Sequence, residues 1–121
     1  MSGFTAFVEE LFEGLGPVRI RRMFGGAGVY AGEVMFALID DEVIYLKTDE
    51  ALRAELAKEG SVSWVYRGRD KPMENTSYWR LPETALDDPD EAVAWARKAL
   101  AAATAKAAAN PKRRKRTAPS I

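Results

Sequence analysis

The sequence predicts an α+β fold of two layers, in which an antiparallel sheet of about five strands is covered by helices. Three observations predict it. Apolar residues recur at helical spacing near both ends of the sequence. Between them lie short runs, some alternating and some continuously apolar, the patterns of half-buried and buried strands. Short turns join these runs and leave no room for parallel crossovers, so the strands pair antiparallel.

Phe4, Phe7, Val8, Leu11, Phe12 and Leu15 form the apolar stripe of a first helix, with Glu9, Glu10 and Glu13 opposite. Ser2 is the expected N-cap, and Gly14, Gly16 and Pro17 stop the helix. Val18 to Phe24 reads as a strand with Val18, Ile20 and Arg22 on one side, and Gly25-Gly26 bends or bulges the chain. Val29-Tyr30 and Val34 to Ile39 flank a tight turn at Ala31-Gly32. Asp40-Asp41 turns the chain again before Val43 to Leu46. Thr48 or Asp49 caps a short second helix that buries Leu52 and Leu56 and ends at Gly60. Val62, Trp64 and Tyr66 alternate as a half-buried strand. Arg67 to Thr76, with Gly68 and Pro72, reads as a loop or hairpin connection before a short strand from Ser77 to Leu81.

Asp88 caps the last helix, Pro89 takes its first position and Glu91 completes a capping box. Ala92, Val93, Trp95, Ala96, Ala99 and Leu100 form its buried side, and alanine propensity extends it to Ala109. Asn110-Pro111 ends it. Residues 1–109 therefore read as one domain and residues 110–121 as a basic disordered tail. The order is helix, about three strands, helix, two strands, helix.

A sequence of 121 residues has the length of one domain. It can bury roughly two thirds of its unfolded surface, enough for a core without staples. There is no Cys and no His. A disulfide scaffold is excluded, and the usual zinc ligands, thiol nucleophile and general base are absent. No apolar run approaches the ~18 residues of a membrane span. Met1-Ser2-Gly3-Phe4-Thr5 has neither region of a signal peptide. A cytoplasmic protein with no membrane contact is expected. Its zero net charge hides an asymmetry. Six of its 18 basic residues lie from Lys106 onward, where there is no acid, so residues 1–105 carry 12 bases against 18 acids, a net of −6.

Arg21-Arg22-Met23-Phe24-Gly25-Gly26-x-Gly28, then Val34 to Leu38, Tyr45-Leu46-Lys47 and Tyr78 to Pro82, resemble the N-terminal domain of the TfoX/Sxy family of competence regulators. Four blocks match in order and spacing, and the resemblance covers about residues 4–105. It implies an α-β3-α-β2-α sandwich similar to secretion chaperones. It also implies a non-enzymatic role in regulating DNA-uptake genes, exercised with a transcription activator. No catalytic residue, metal or cofactor comes with it. Full-length members carry a second, C-terminal domain of helix-hairpin-helix character; after Ala109 this sequence holds only the basic tail.

Gly26-Ala27-Gly28-Val29-Tyr30-Ala31 formally fits a relaxed dinucleotide fingerprint, but that chemistry needs a helix at the glycines, and here they lead into a strand. Arg21 and Arg22 could hold a phosphate or carboxylate, yet adjacent strand residues point to opposite faces and cannot serve one site. Asp40-Asp41-Glu42 and Asp87 to Glu91 lack the spacing of a calcium loop. Trp64, Tyr66, Tyr78 and Trp79 stand near Arg67, Arg69 and Lys71, a mix that can stack bases, although the acidic body opposes phosphate. No spacing of a nucleophile and its base stands out. Lys112, Arg113, Arg114, Lys115 and Arg116 form the strongest electrostatic feature, suited to weak, sequence-blind nucleic-acid contact or to a solvated tail. The expected partner is a protein, either a transcription activator or a second copy bound at a sheet edge or helix face. Nucleic acid bound by the tail is the alternative, and a small enzyme a second one.

Overall fold

The structure, a computed structural model, describes residues 2–23, 25–67 and 72–109. Its elements run α1 (Ser2–Leu11), β1 (Arg19–Met23), β2 (Gly26–Ala31), β3 (Val34–Asp40), β4 (Val43–Lys47), α2 (Glu50–Lys58), β5 (Ser63–Arg67), β6 (Pro72–Arg80) and α3 (Pro89–Ala109), with short 3-10 turns at Glu13–Leu15 and Glu83–Asp87. One antiparallel sheet takes the order β1-β2-β3-β4-β6-β5. The α+β class is as the sequence predicts.

Six strands stand where about five were expected, four of them before α2. β2, expected only at Val29-Tyr30 beside the turn, begins already at Gly26. Gly26, Ala27 and Gly28 have little strand propensity, but β2 pairs with β1 on one side and β3 on the other, and pairing overrides propensity. Gly25, with φ of 70°, makes the bend, while Gly26 already belongs to the ladder. β6 is also longer than expected. Met73 to Asn75 pair with Trp64 to Tyr66, and Pro72 sits at the strand's first position, where proline is tolerated. Both hairpin turns fall one residue later than read. The chain turns at residues 32–33 and at Asp41-Glu42, whose φ values of 54° and 59° are those of a primed hairpin turn.

The helices gather on one face of the sheet. Val8, Leu11 and Phe12 of the N-terminal segment pack with Phe36, Ile39, Leu46 and Leu56 in a single core. The helix α1 already includes Ser2, the expected cap, and ends at Leu11. Of the two candidate caps for α2, Asp49 is the cap: its carboxylate accepts from the Leu52 N–H at 2.8 Å. Thr48 is buried instead, and its hydroxyl donates to the Ser77 carbonyl oxygen at 3.0 Å, tying β4 to β6. Asp88 Oδ1 accepts from the N–H groups of Asp90 and Glu91 at 3.1 and 3.2 Å, as an N-cap should. The capping box is only half made. Glu91 accepts from the Thr84 hydroxyl and the Trp95 indole instead of reaching back to Asp88. Ala92, Ala96, Ala99 and Ala103 are the buried stripe of α3, small enough to let it lie close against β3; Val93, Trp95 and Leu100 are only partly buried. The predicted helix stop at Asn110-Pro111 and the tail lie outside the described residues.

Candidate functional site: the uncovered face of the sheet

Side chains alternate across a sheet, so the strand register sorts them onto two faces. Ala27, Val29, Ala37, Ile39, Ile44 and Leu46 face the helices and belong to the core. No helix among the described residues covers the other face. Across it run Arg19, Arg21 and Met23 of β1, Gly26, Gly28 and Tyr30 of β2, and Leu38 and Asp40 of β3. Val43, Tyr45 and Lys47 of β4 and Tyr78 and Arg80 of β6 continue it. Arg21 lies opposite Gly28 on this face and Arg22 opposite Ala27 on the helix side, so the pair diverges.

An aromatic cluster occupies the middle of this face. The Trp64 ring sits 6.0 Å from Tyr45 and 6.1 Å from Tyr78, edge-on to the latter. Its indole N–H donates to Asp40 Oδ2 at 2.9 Å, bringing β5 across to the end of β3. Cations cap two of the tyrosine rings: Arg19 lies 4.9 Å from the Tyr30 centroid and Lys47 4.9 Å from that of Tyr78. Gly28 leaves the hollow into which Met35, Tyr30 and Met23 fold, since a Cβ there would sit 2.6 Å from the Met35 sulfur.

Beside the cluster, at the end marked by the β3–β4 turn, lies a groove of about 640 Å³. Met23, Gly25, Gly26, Asp40, Asp41, Val43, Tyr45 and residues 62–65 line it, with no Lys or Arg among the described residues of the wall. Three motif residues singled out by sequence, Met23, Gly25 and Gly26, thus share one wall. Phe24 and the tail cations Lys112, Arg113, Arg114, Lys115 and Arg116 lie outside the described residues, as do Arg69 and Lys71. Among the described residues the exposed large apolar side chains are Val62 at 57%, Val65 at 43%, Met23 at 44% and Met73 at 61%. Three of them line the groove, and Met73 lines the adjoining hollow with Trp64.

The glycines of the dinucleotide-like stretch run along β2 and open no helix, so they offer no helix N-terminus to a phosphate. Asp41 belongs to a hairpin turn, and Asp88 is engaged as a cap. Sequence reasoning found Trp64 and Tyr78 as aromatics but missed their meeting with Tyr45, Lys47 and Tyr30. Strand alternation is the missed signal that sets Tyr45 and Lys47 on one face; only the β4–β6 pairing brings Tyr78 beside them.

The titration behaviour of this face follows from its burial. Burial pushes the Tyr78 phenol up, with Tyr30 adding to the shift. Burial also pushes the Tyr45 phenol up; Arg80 opposes that shift, and Asp40 and Asp41 add to it. A phenol whose folded pKa lies above its unfolded value of 10.0 contributes stability that is present below that value and lost as pH rises through the folded pKa. Denaturation midpoints are therefore expected to fall above pH about 10, and a Tyr45→Phe, Tyr78→Phe double variant should show a shallower fall. Urea titrations between neutral and alkaline pH check this; equal slopes for variant and wild type would refute it.

This arrangement defines a two-layer α+β domain with helices on one side of the sheet and an open, aromatic-rich face on the other. The sequence matches the model of the TfoX N-terminal domain over residues 10–103, and the chain belongs to that family. No curated protein matches it significantly.

Proposed function

We propose that this is a non-enzymatic regulatory domain that acts through protein contacts on the uncovered face of its sheet. One observation carries the reading: the exposed large apolar residues Met23, Val62, Val65 and Met73 gather at one groove and its margin. Exposed apolar surface collected in one place marks an interaction site, whereas scattered single residues do not. Asp40 and Asp41, with no cation among the described residues of the groove wall, select a partner segment that combines apolar side chains with Lys or Arg. Control of DNA-uptake genes together with a transcription activator is the setting we infer from family membership. A second reading, sequence-blind contact with nucleic acid through Lys112–Arg116, rests on the charge of the tail.

Val62→Asp and Met73→Asp test the reading, because both side chains are more than half exposed and their replacement spares the core. Affinity purification from the native host is expected to retain a protein on the wild-type chain and to lose it on the double variant, with circular dichroism unchanged. A second copy as partner would appear as a concentration-dependent mass in light scattering, reduced in the variant. A strict monomer that retains no protein, or a partner retained equally by the variant, would overturn the proposal.

A further inference from the structure

At the end of the uncovered face opposite the groove, a second hollow of about 320 Å³ opens where the β2–β3 hairpin, β4 and β6 meet the last turns of α3. Lys47, Lys106, Tyr30 and Tyr78 line it, with Glu33 on the hairpin. Lys47 is half-buried, and its Nζ lies 4.9 Å from the centre of the Tyr78 ring. The ion pairs among the described residues are Arg80–Glu83 and Lys98–Glu55, so neither Lys47 nor Lys106 has a carboxylate within bonding distance there. Neither the Tyr30 nor the Tyr78 hydroxyl has a hydrogen-bond partner among the described residues. Burial and the neighbouring Lys106 both lower the pKa of Lys47. Two cations share one hollow, and Glu33 is the sole carboxylate among the described residues of its wall.

We propose that this hollow binds a phosphate group. A phosphate monoester carries close to two negative charges at neutral pH, matching two ammonium groups, and its oxygens accept from phenolic hydroxyls. A carboxylate has half that charge. The surrounding face favours the approach. It carries Arg19, Arg21, Lys47 and Arg80 against Asp40 and the turn residues Glu33 and Asp41, although residues 1–105 together carry −6, so much of the negative charge lies elsewhere. Lys106 stands in the last turn of α3, where it offsets the partial negative charge of the helix end. The phosphate can come from a small phosphorylated compound or from a nucleic-acid backbone. The site is separate from the apolar groove and does not depend on it.

The test is an amide NMR titration of the full chain with inorganic phosphate and, separately, with a short oligothymidylate. Inorganic phosphate is expected to give saturable shifts confined to residues 30–35, 47, 78 and 103–107. Lys47→Gln and Lys106→Gln should each weaken this binding by about tenfold. Glu33→Gln should strengthen it by about threefold. Lys106 is exposed, so its variant folds even if Lys47→Gln does not. Saturation of the same residues by the oligonucleotide at a lower concentration identifies a nucleic-acid source; saturation by phosphate alone identifies a small compound. The proposal fails if neither probe gives saturable shifts there, if both lysine variants leave the shifts unchanged, or if acetate binds as tightly as phosphate.

Discussion

Replacing Gly26 by Ala is expected to destabilise the protein by about 3 kcal/mol. In a domain of this size that lowers the melting temperature by roughly 10 °C. A Cβ at this position would lie 2.1 Å from the Ile39 carbonyl oxygen, a distance no real contact tolerates. The obstructing atom is backbone, so no rotamer change relieves it. Gly26 pairs with Met23 on one side and Asp40 on the other, and moving it away from β3 pulls on both ladders. Gly28 is the control. There the nearest atoms belong to Met35, Tyr30 and Met23 side chains, which can turn aside, and Gly28→Ala should lose only about 1 kcal/mol. Thermal and urea denaturation of the two variants check this, and equal losses would refute the argument. Gly26 also lines the groove, so its replacement should weaken partner binding as well.

Phe36→Ala is expected to lose about 3–5 kcal/mol, a large share of the stability of an ordinary domain. Phe36 is fully buried and meets the fully buried Phe12 edge-on at 5.5 Å. That contact joins β3 to the end of the N-terminal helical segment. Val29 pairs with Ala37 and Tyr30 with Met35, so Phe36 is the extra residue of a bulge, and both it and Ala37 are fully buried. A double-mutant cycle between Phe12→Ala and Phe36→Ala should give a coupling of about 1 kcal/mol from the ring pair. Additive losses would show that the two rings act independently.

How much of this was legible in the sequence depended on the range of the forces involved. Asp49 and Asp88 cap their helices because a carboxylate reaches N–H groups two or three residues ahead, and that spacing is visible in the chain. Leu52 and Leu56 face the core because a helix returns to the same side every turn. The count of strands was less legible. Gly25-Gly26 read as a bend and no strand is legible between it and Val29, because propensity is local, while strand identity from Gly26 onward comes from partners on both sides. The same holds for Met73 to Asn75, which read as loop until paired with β5. The Arg21–Gly28 motif marked the family correctly, yet its residues divide between the two faces of the sheet.

The sequence by itself determined the α+β class, the three helices, the Asp88 cap of the last one, the family, and the contrast between an acidic body and a basic tail. These follow from local geometry and composition. Only the tertiary structure decided which residues meet on the uncovered face. Met23, Asp40 and Trp64 come together at the groove, and Tyr30, Lys47, Tyr78 and Lys106 at the opposite hollow. Their separation in the chain spans several elements, and their meeting depends on β6 pairing with both β4 and β5 and on how far α3 runs past the sheet. Register is set by long-range pairing and by the burial of the helix-side face, so no single segment contains it.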